Sequence, residues 1–334
     1  SDASGTLLLD VTKRRWSKPL LSKLEIDQDL LATCYESEDV TGSLTDAAAK
    51  ELGLSSSCLV VGGAGDCAAG AIGNGVVRRG CLSTSIGTSG VVFVHCDTPE
   101  VDSQGRLHTF CHAVRDKWHM MGVTLAAGGS LQWFRNALCQ SDLANTQKSA
   151  AEVFNKLIKE AEQTPPGAEG LMFLPYLAGE RTPHADPYAR GAFVGLVLKH
   201  NRGHMVRAVM EGVTFSLRDS LEIIANQDIR ISQIRATGGG AKSAFWRQMQ
   251  ADILGKKVVT MASDEGPAYG VALLAAVGAG EFKNIREAVS ATIETSSEVS
   301  PVAKTRRFYN QAFPVYQQLY KSLRDDFQAL NELL

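Results

Sequence analysis

A chain of 334 residues is long enough for two domains with real apolar cores, since a single domain usually runs about 100 to 200 residues. Apolar residues make up 44% and charged residues 21%, which excludes a coiled coil, a charged tail or a low-complexity chain. A formal net charge of -2 without a Lys/Arg-rich run gives no electrostatic footprint for nucleic acid or an anionic membrane surface, so small molecules are the expected partners.

The chain opens at Ser1 on a segment, Ala3 to Asp10, that reads as the middle of a domain, and a preceding segment is therefore expected. Residues 30–53 predict helices joined by a loop. The apolar run Cys58 to Val61 predicts a strand ending in Gly62-Gly63-Ala64-Gly65-Asp66, a glycine turn that starts a helix. From Cys67 to Val77 the chain is rich in Ala and Gly, so a helix there needs tertiary support, but its small side chains allow close approach to another backbone.

Leu82 to Ile86 and Val91 to Val94 flank Gly87-Thr88-Ser89-Gly90 and predict a hairpin. Strand-like alternation returns between Leu107 and Met121, and Gly128-Gly129 opens a helix through Leu131, Phe134 and Leu138. A linker-like patch, Gln163 to Gly167, precedes the apolar run Leu171 to Leu174. The clearest helix runs from about His204 to Asn226, with Val206, Val209, Met210, Val213, Leu217, Leu221 and Ile224 on one stripe. Ile231 to Ala236 then predicts a strand, Thr237 to Gly240 a glycine turn, and Ser243 to Leu254 a helix stopped by Gly255. Val258 to Met261 is the next expected strand, and Gly266-Pro267 starts the next helix. Strand, glycine loop, helix and strand in succession describe an α/β nucleotide fold.

Phosphates are held by backbone N–H groups in turns and at helix starts, where glycine allows close approach. Gly87-Thr88-Ser89-Gly90 can serve that purpose with the Thr88 hydroxyl as an added donor, or be an ordinary hairpin turn. Gly238-Gly239-Gly240 can face a ribose or adenine, or be a flexible connection. Neither a Rossmann G-x-G-x-x-G nor a Walker G-K-[ST] loop is present. Asp66 is either a helix N-cap or a general base that accepts a proton from an attacking hydroxyl, and the two roles are compatible. The seven cysteines, Cys34, Cys58, Cys67, Cys81, Cys96, Cys111 and Cys139, are an odd number without a C-x-x-C pair, so neither a disulfide framework nor a zinc ribbon is expected and a reducing cytoplasm fits. His108, His112 and His119 cluster on a strand-like segment without the helical spacing of a zinc site, and no direct metal cage is expected. Glu180-Arg181 reads as a structural loop contact.

The order of these motifs resembles the FGGY carbohydrate kinases from Ser1 almost to the C-terminus. Gly191-x-Phe193-x-Gly195-Leu196, seven residues, then His204-Met205-x-x-Ala208-Val209-Met210-Glu211 matches the second signature pattern of that family. By this resemblance Gly65-Asp66 is the catalytic motif with Asp66 as base, and Gly87, Thr88 and Ser89 are the second phosphate motif. Gly238, Gly239 and Gly240 form the adenosine motif, with Gly128, Gln132 and Ser243 as further nucleotide contacts. The glycerol kinase branch usually has Asn where Ser243 stands. Asp66 and Cys67 are the implied sugar contacts, although relatives tend to carry Asn or Gln in place of Cys67.

His108 to Ala113 followed by Trp118-His119, and Leu174 to His184, look most like the bacterial xylulokinase branch. That implies ATP with Mg²⁺ and D-xylulose as acceptor. Kinases of glycerol, ribulose or gluconate, or a non-catalytic actin-like ATP-binding module, are the alternatives. The implied fold is the actin and hexokinase architecture of two ribonuclease-H-like lobes. The family's opening Asp-x-Gly-Thr loop does not occur upstream of Asp66. Residues 1–78 are therefore expected to be the tail of the first, sugar-binding lobe, and residues 79–334 the ATP lobe, in a homodimer.

Overall fold

The computed structural model describes residues 1–140, 149–263 and 265–333. The first part is built of short pieces. A strand, Val40–Ser43 (β1), pairs antiparallel with Leu59–Val61 (β2), and the helix Asp46–Leu52 (α1) lies between them in sequence. Thr45 caps that helix through Ala48 N–H, and Gly53 ends it in the left-handed region at φ 67. Residues 30–53 therefore contain a strand where helices are expected. Val40-Thr41-Gly42-Ser43 shows no apolar alternation and is exposed throughout, so the pattern that signals a strand is missing.

Asp66–Gly73 forms the next helix (α2), ending short of Val77 because Asn74 is its C-cap and Gly75 turns away at φ 69. The hairpin follows as Cys81–Ile86 (β3) and Gly90–Cys96 (β4), and then His108–Cys111 (β5) and Trp118–Thr124 (β6). Gly128–Leu138 (α3) and Ala150–Glu162 (α4) lead to a small antiparallel pair, Met172–Leu174 with Ala192–Val194, and to the long helix Arg202–Ala225 (α5). The rest is Gln233–Gly238 (β7), a one-turn helix Gly239–Lys242 where a glycine turn is expected from Thr237 to Gly240, Ala244–Leu254 (α6), Lys257–Met261 (β8), Gly266–Gly278 (α7), Ile285–Thr292 (α8), Thr295–Val299 (β9) and Ala303–Glu332 (α9).

A seven-stranded sheet organises the molecule, in the order β9-β8-β7-β3-β4-β6-β5. β7 runs parallel to both β3 and β8, and the hairpin strands and both edges are antiparallel. Side chains alternate across it with the period of two that a pleated strand imposes. Leu82, Ile86, Val92 and Val94 join the main core with Val206, Val209, Val213 and Leu217 of α5. Cys81 and Phe93 on the opposite face join Ala71 and Val76 instead. Among the described residues no helix is long and apolar enough to cross a membrane.

The expected close approach of the Ala/Gly stretch is realised between α2 and α7. A Cβ at Gly73 would run into the Gly266 carbonyl, and one at Gly270 into the Ala69 carbonyl, so the two helices touch backbone to backbone. This contact carries Asp66, the first residue of α2, against the sheet-bearing part of the chain.

Candidate active site

Parallel pairing of β3 with β7 sets Cys81 opposite Gln233 and Ile86 opposite Gly238, so the chain leaves both strands at the same end of the sheet. The carboxyl ends of parallel strands are where α/β folds gather ligands. After Ile86 comes the turn Gly87-Thr88-Ser89, closed by Gly87 N–H donating to the Ser89 carbonyl at 3.0 Å. The carbonyls of Thr88 and Gly87 accept from Ala127, Gly128 and Gly129 N–H at 2.9, 2.8 and 3.0 Å, which pins the turn to the start of α3. All three turn residues are exposed.

The glycines around these turns divide by cause. A Cβ at Gly128 would lie 2.5 Å from the Gly87 carbonyl, and Gly238, at φ 74, would place one 2.7 Å from the Ile86 carbonyl, so the fold itself demands both. At Gly239 a Cβ would meet only the Ile86 carbonyl at 3.6 Å, and at Gly87 only the Ser89 carbonyl at 3.7 Å, ordinary contacts that the protein tolerates. Bare backbone at those two places fits the close approach of a ligand.

Between the turns lies a cavity of about 470 Å³. Gly87, Thr88, Gly128, Gln132, Gly239, Gly240 and Ser243 line it together. Ser89 and Gly238 stand outside its lining, Ser89 at the exposed turn and Gly238 folded against Ile86. Ser243 has a second duty as the N-cap of α6, its hydroxyl accepting from Trp246 N–H at 3.2 Å. The far wall is Phe154, Asn155 and Ile158 of α4, with Lys242 and Trp246 beside them. Sequence reasoning passed over α4. Its signals were present: Ser149 and Glu152 form a reciprocal capping box, and Val153, Leu157 and Ala161 make a buried stripe. Apolar walls with a few polar edges suit a flat, partly polar ligand.

Asp66 is exposed, and Gly65 rather than Asp66 occupies the cap position of α2. One carboxylate oxygen accepts from Cys67 N–H at 2.6 Å, so the other remains available for a proton or a ligand. Cys67 packs against the cluster of Ala71, Cys81 and Phe93, with Val91 and Met121 also seated on it. The Asp66 end of α2 thus lies over β4, the strand that follows the Gly87–Ser89 turn. Burial, then the charge of Asp66, pushes the Cys67 thiol up to about 11, and it stays protonated and unreactive. A smaller cavity of about 120 Å³ is bounded by Asp66, Cys67, Asp2, Phe110, His119 and Met121. No Lys or Arg side chain lines it.

The histidines form a ring cluster. His119 stacks on Phe93 at 4.2 Å between centroids, and His112 lies 5.1 Å from His95 and 5.8 Å from His119. His112 donates from Nε2 to the Val76 carbonyl at 3.0 Å and accepts at Nδ1 from Val114 N–H at 3.1 Å. Burial lowers His95 to about 4, His119 to about 3 and His112 well below its ordinary value, so all three are neutral at pH 7. Among the described residues no group of three or more His, Cys, Asp or Glu side chains is arranged to hold a metal.

Two motif segments prove to be packing devices. Glu180 is buried and accepts from Thr124 Oγ1 at 2.5 Å, Leu125 N–H at 3.0 Å and Arg181 N–H at 2.7 Å, ordering the loop around it. Glu211, at the end of the signature segment, accepts from Arg207 Nε at 2.7 Å, Tyr309 Oη at 2.6 Å and Gly167 N–H at 2.9 Å inside the core.

Family models describing the N-terminal and C-terminal domains of the FGGY family of carbohydrate kinases match residues 1–73 and 82–279. The chain belongs to the FGGY family of carbohydrate kinases. It is 40% identical over 330 residues to a xylulose kinase of Bacillus subtilis, a match covering 99% of this chain and 64% of that protein. A gluconokinase of Bacillus subtilis is 31% identical over 330 residues, covering 98% of this chain and 64% of the relative. A ligand-bound xylulose kinase structure from Lactobacillus acidophilus superposes with a TM-score of 0.90 at 28% identity, over 98% of this chain and 64% of that one. The FGGY chain described here thus spans 64% of the length of these relatives and has their actin- and hexokinase-like fold.

Proposed function

We propose that the full-length protein transfers the γ-phosphoryl group of ATP to a hydroxyl of a neutral sugar, with D-xylulose as its acceptor. The observation that carries this reading is the convergence of two glycine segments, the exposed turn Gly87–Ser89 and the helix start at Gly239, on one cavity through the β3–β7 register, with an exposed carboxylate on the helix that lies over β4. In this reading the base and ribose of ATP lie on Gly239, Gly240, Gln132 and Ser243 against Phe154. The phosphates reach Gly87 and the Thr88 hydroxyl, with Ser89 N–H at the outer edge of the turn. Asp66 takes the acceptor's proton and Cys67 borders the sugar. Phosphoryl transfer needs placement and charge stabilisation more than a strong base, which suits a carboxylate in open surroundings.

Magnesium enters with ATP as part of the co-substrate and spreads the phosphate charge. Residues 1–78 then form the sugar-side part and residues 79–334 the nucleotide-side part.

The relatives also include a gluconokinase. A sugar acid brings a carboxylate that asks for a cation, while the cavity beside Asp66 holds two carboxylates and no Lys or Arg side chain. This favours an uncharged acceptor. A screen of ATP with ketoses, aldoses, polyols and sugar acids tests the reading through acceptor-dependent ADP release. D-Xylulose should give the highest kcat/KM. A tenfold preference for another acceptor, about 1.4 kcal/mol in transition-state binding, removes the xylulose assignment. ADP release indifferent to every sugar would leave a nucleotide-binding module instead.

A further inference from the structure

His119 lies on β6 between Phe110 of β5 and His95 of β4, and its ring stacks on Phe93. It is 3% exposed, and its Nδ1 has no hydrogen-bond partner in the protein. His112, its neighbour, has both ring nitrogens paired. A buried polar atom without a partner is costly, and a phenylalanine would fill the same space against Phe93 and Phe110 at no such cost. The imidazole thus meets the Cys111 backbone on one side and leaves Nδ1 unpaired on the other. What distinguishes the position is its place: His119 forms part of the wall of the small cavity that also holds Asp66 and Cys67.

The other walls sharpen the assignment. Phe110, Met121 and Ala68 are apolar, the Ser1 hydroxyl can donate or accept, and the carboxylates of Asp2 and Asp66 accept hydrogen bonds but do not donate them when ionised. Burial holds His119 neutral, and with its ring N–H toward the Cys111 backbone the unpaired Nδ1 is an uncharged acceptor for a sugar hydroxyl.

We infer that His119 is an acceptor-binding residue, whose imidazole takes a hydroxyl of a neutral sugar other than the one facing Asp66 and so selects which polyhydroxylated acceptor fits. The inference rests on the reading of Asp66 as the base of a sugar kinase. It also accounts for the tolerated strain, because the unpaired nitrogen finds its partner only when the acceptor is bound.

The test uses the full-length protein with ATP and its preferred sugar. His119→Phe should raise the KM for that sugar about tenfold or more and leave the KM for ATP within about twofold. Its Tm should hold, since the loss of the Cys111 hydrogen bond is offset by removal of an unpaired buried nitrogen, and His119→Gln should recover part of the sugar affinity. A series of acceptors lacking one hydroxyl each gives an independent reading. One deoxy acceptor should be poorer than the complete sugar for the native protein by a similar factor, and equal to it for His119→Phe. An unchanged sugar KM in His119→Phe, or a deoxy series in which no acceptor loses its disadvantage, overturns the inference. A lower Tm with both KM values raised together also overturns it and makes His119 a packing residue. If no sugar supports ADP formation in the native protein, the kinase reading fails and this inference falls with it. If turnover is normal and His119→Phe is indifferent, His119 alone was misassigned.

Discussion

The sheet-built region and the short pieces before Asp66 are held in different ways. β3, β4 and β6 are covered on both faces, and the parallel register of β3 with β7 leaves the two glycine turns no freedom to separate. Strands β1 and β2, by contrast, keep Val40, Leu59 and Val60 exposed, and the main tie between α2 and the larger region is its glycine contact with α7. Backbone hydrogen bonds in a buried sheet resist displacement far more than one helix crossing does. The glycine turns are thus fixed by the sheet, and the position of Asp66 by the packing of α2 on α7 and on Cys81 and Phe93. On the proposed function, damage to the sheet end costs nucleotide affinity, and damage to α2 costs phosphoryl transfer.

The largest expected effect lies on the Asp66 side. Asp66→Asn keeps size and the hydrogen bond from Cys67 N–H, so the fold should survive while kcat in the full-length protein falls by roughly a hundredfold or more. Near-normal turnover would reduce Asp66 to a helix-start residue. The helix crossing comes next. Gly270→Ala drives a methyl into the Ala69 carbonyl and should cost about 1–3 kcal/mol of stability in urea unfolding, with a fall in kcat from the displaced α2. Gly70→Ala on the same helix meets only Pro267 at 3.5 Å and should be neutral or slightly stabilising. Equal losses in the two variants would show that the backbone contact does not set the geometry.

A smaller, graded effect belongs to the sheet region and its histidines. His95, His112 and His119 have folded pKa values below the ordinary 6.5, so the unfolded chain binds protons that the folded chain refuses. Their contribution is complete above pH 6.5 and is lost as the pH falls toward 4. Each adds a slope of at most about 1.4 kcal/mol per pH unit in that window. Urea midpoints measured from pH 7.5 to 5 should drop on the acid side, and His119→Phe should flatten the drop. A midpoint independent of pH would mean that the cluster is hydrated or already charged.

Much of the sheet region was legible because its signals are local. The hairpin, α5 with its apolar stripe, and the strand before Gly239 lie close to their expected places, while the expected glycine turn after that strand is a helix, Gly239–Lys242. β1 was not legible, since an exposed edge with Thr, Gly and Ser carries no alternation. At the site, the residue types of the turns and of Asp66 were readable, but their juxtaposition depends on the β3–β7 register, which no local pattern encodes. The α4 wall was missed although its capping box stood in plain sight. The unpaired nitrogen of His119 is a property of packing alone, invisible until its neighbours are placed.

The division of labour itself is open to one direct measurement, calorimetric titration of ATP into the full-length native protein, Asp66→Asn and Gly239→Val side by side. Gly239→Val places a branched side chain where the cavity has only backbone, and Asp66→Asn leaves that cavity untouched. The account predicts that Asp66→Asn binds ATP within about twofold of the native Kd, whereas Gly239→Val binds it about tenfold or more weakly with its fold intact. Equal weakening in both variants, or undiminished ATP binding by Gly239→Val, would contradict it.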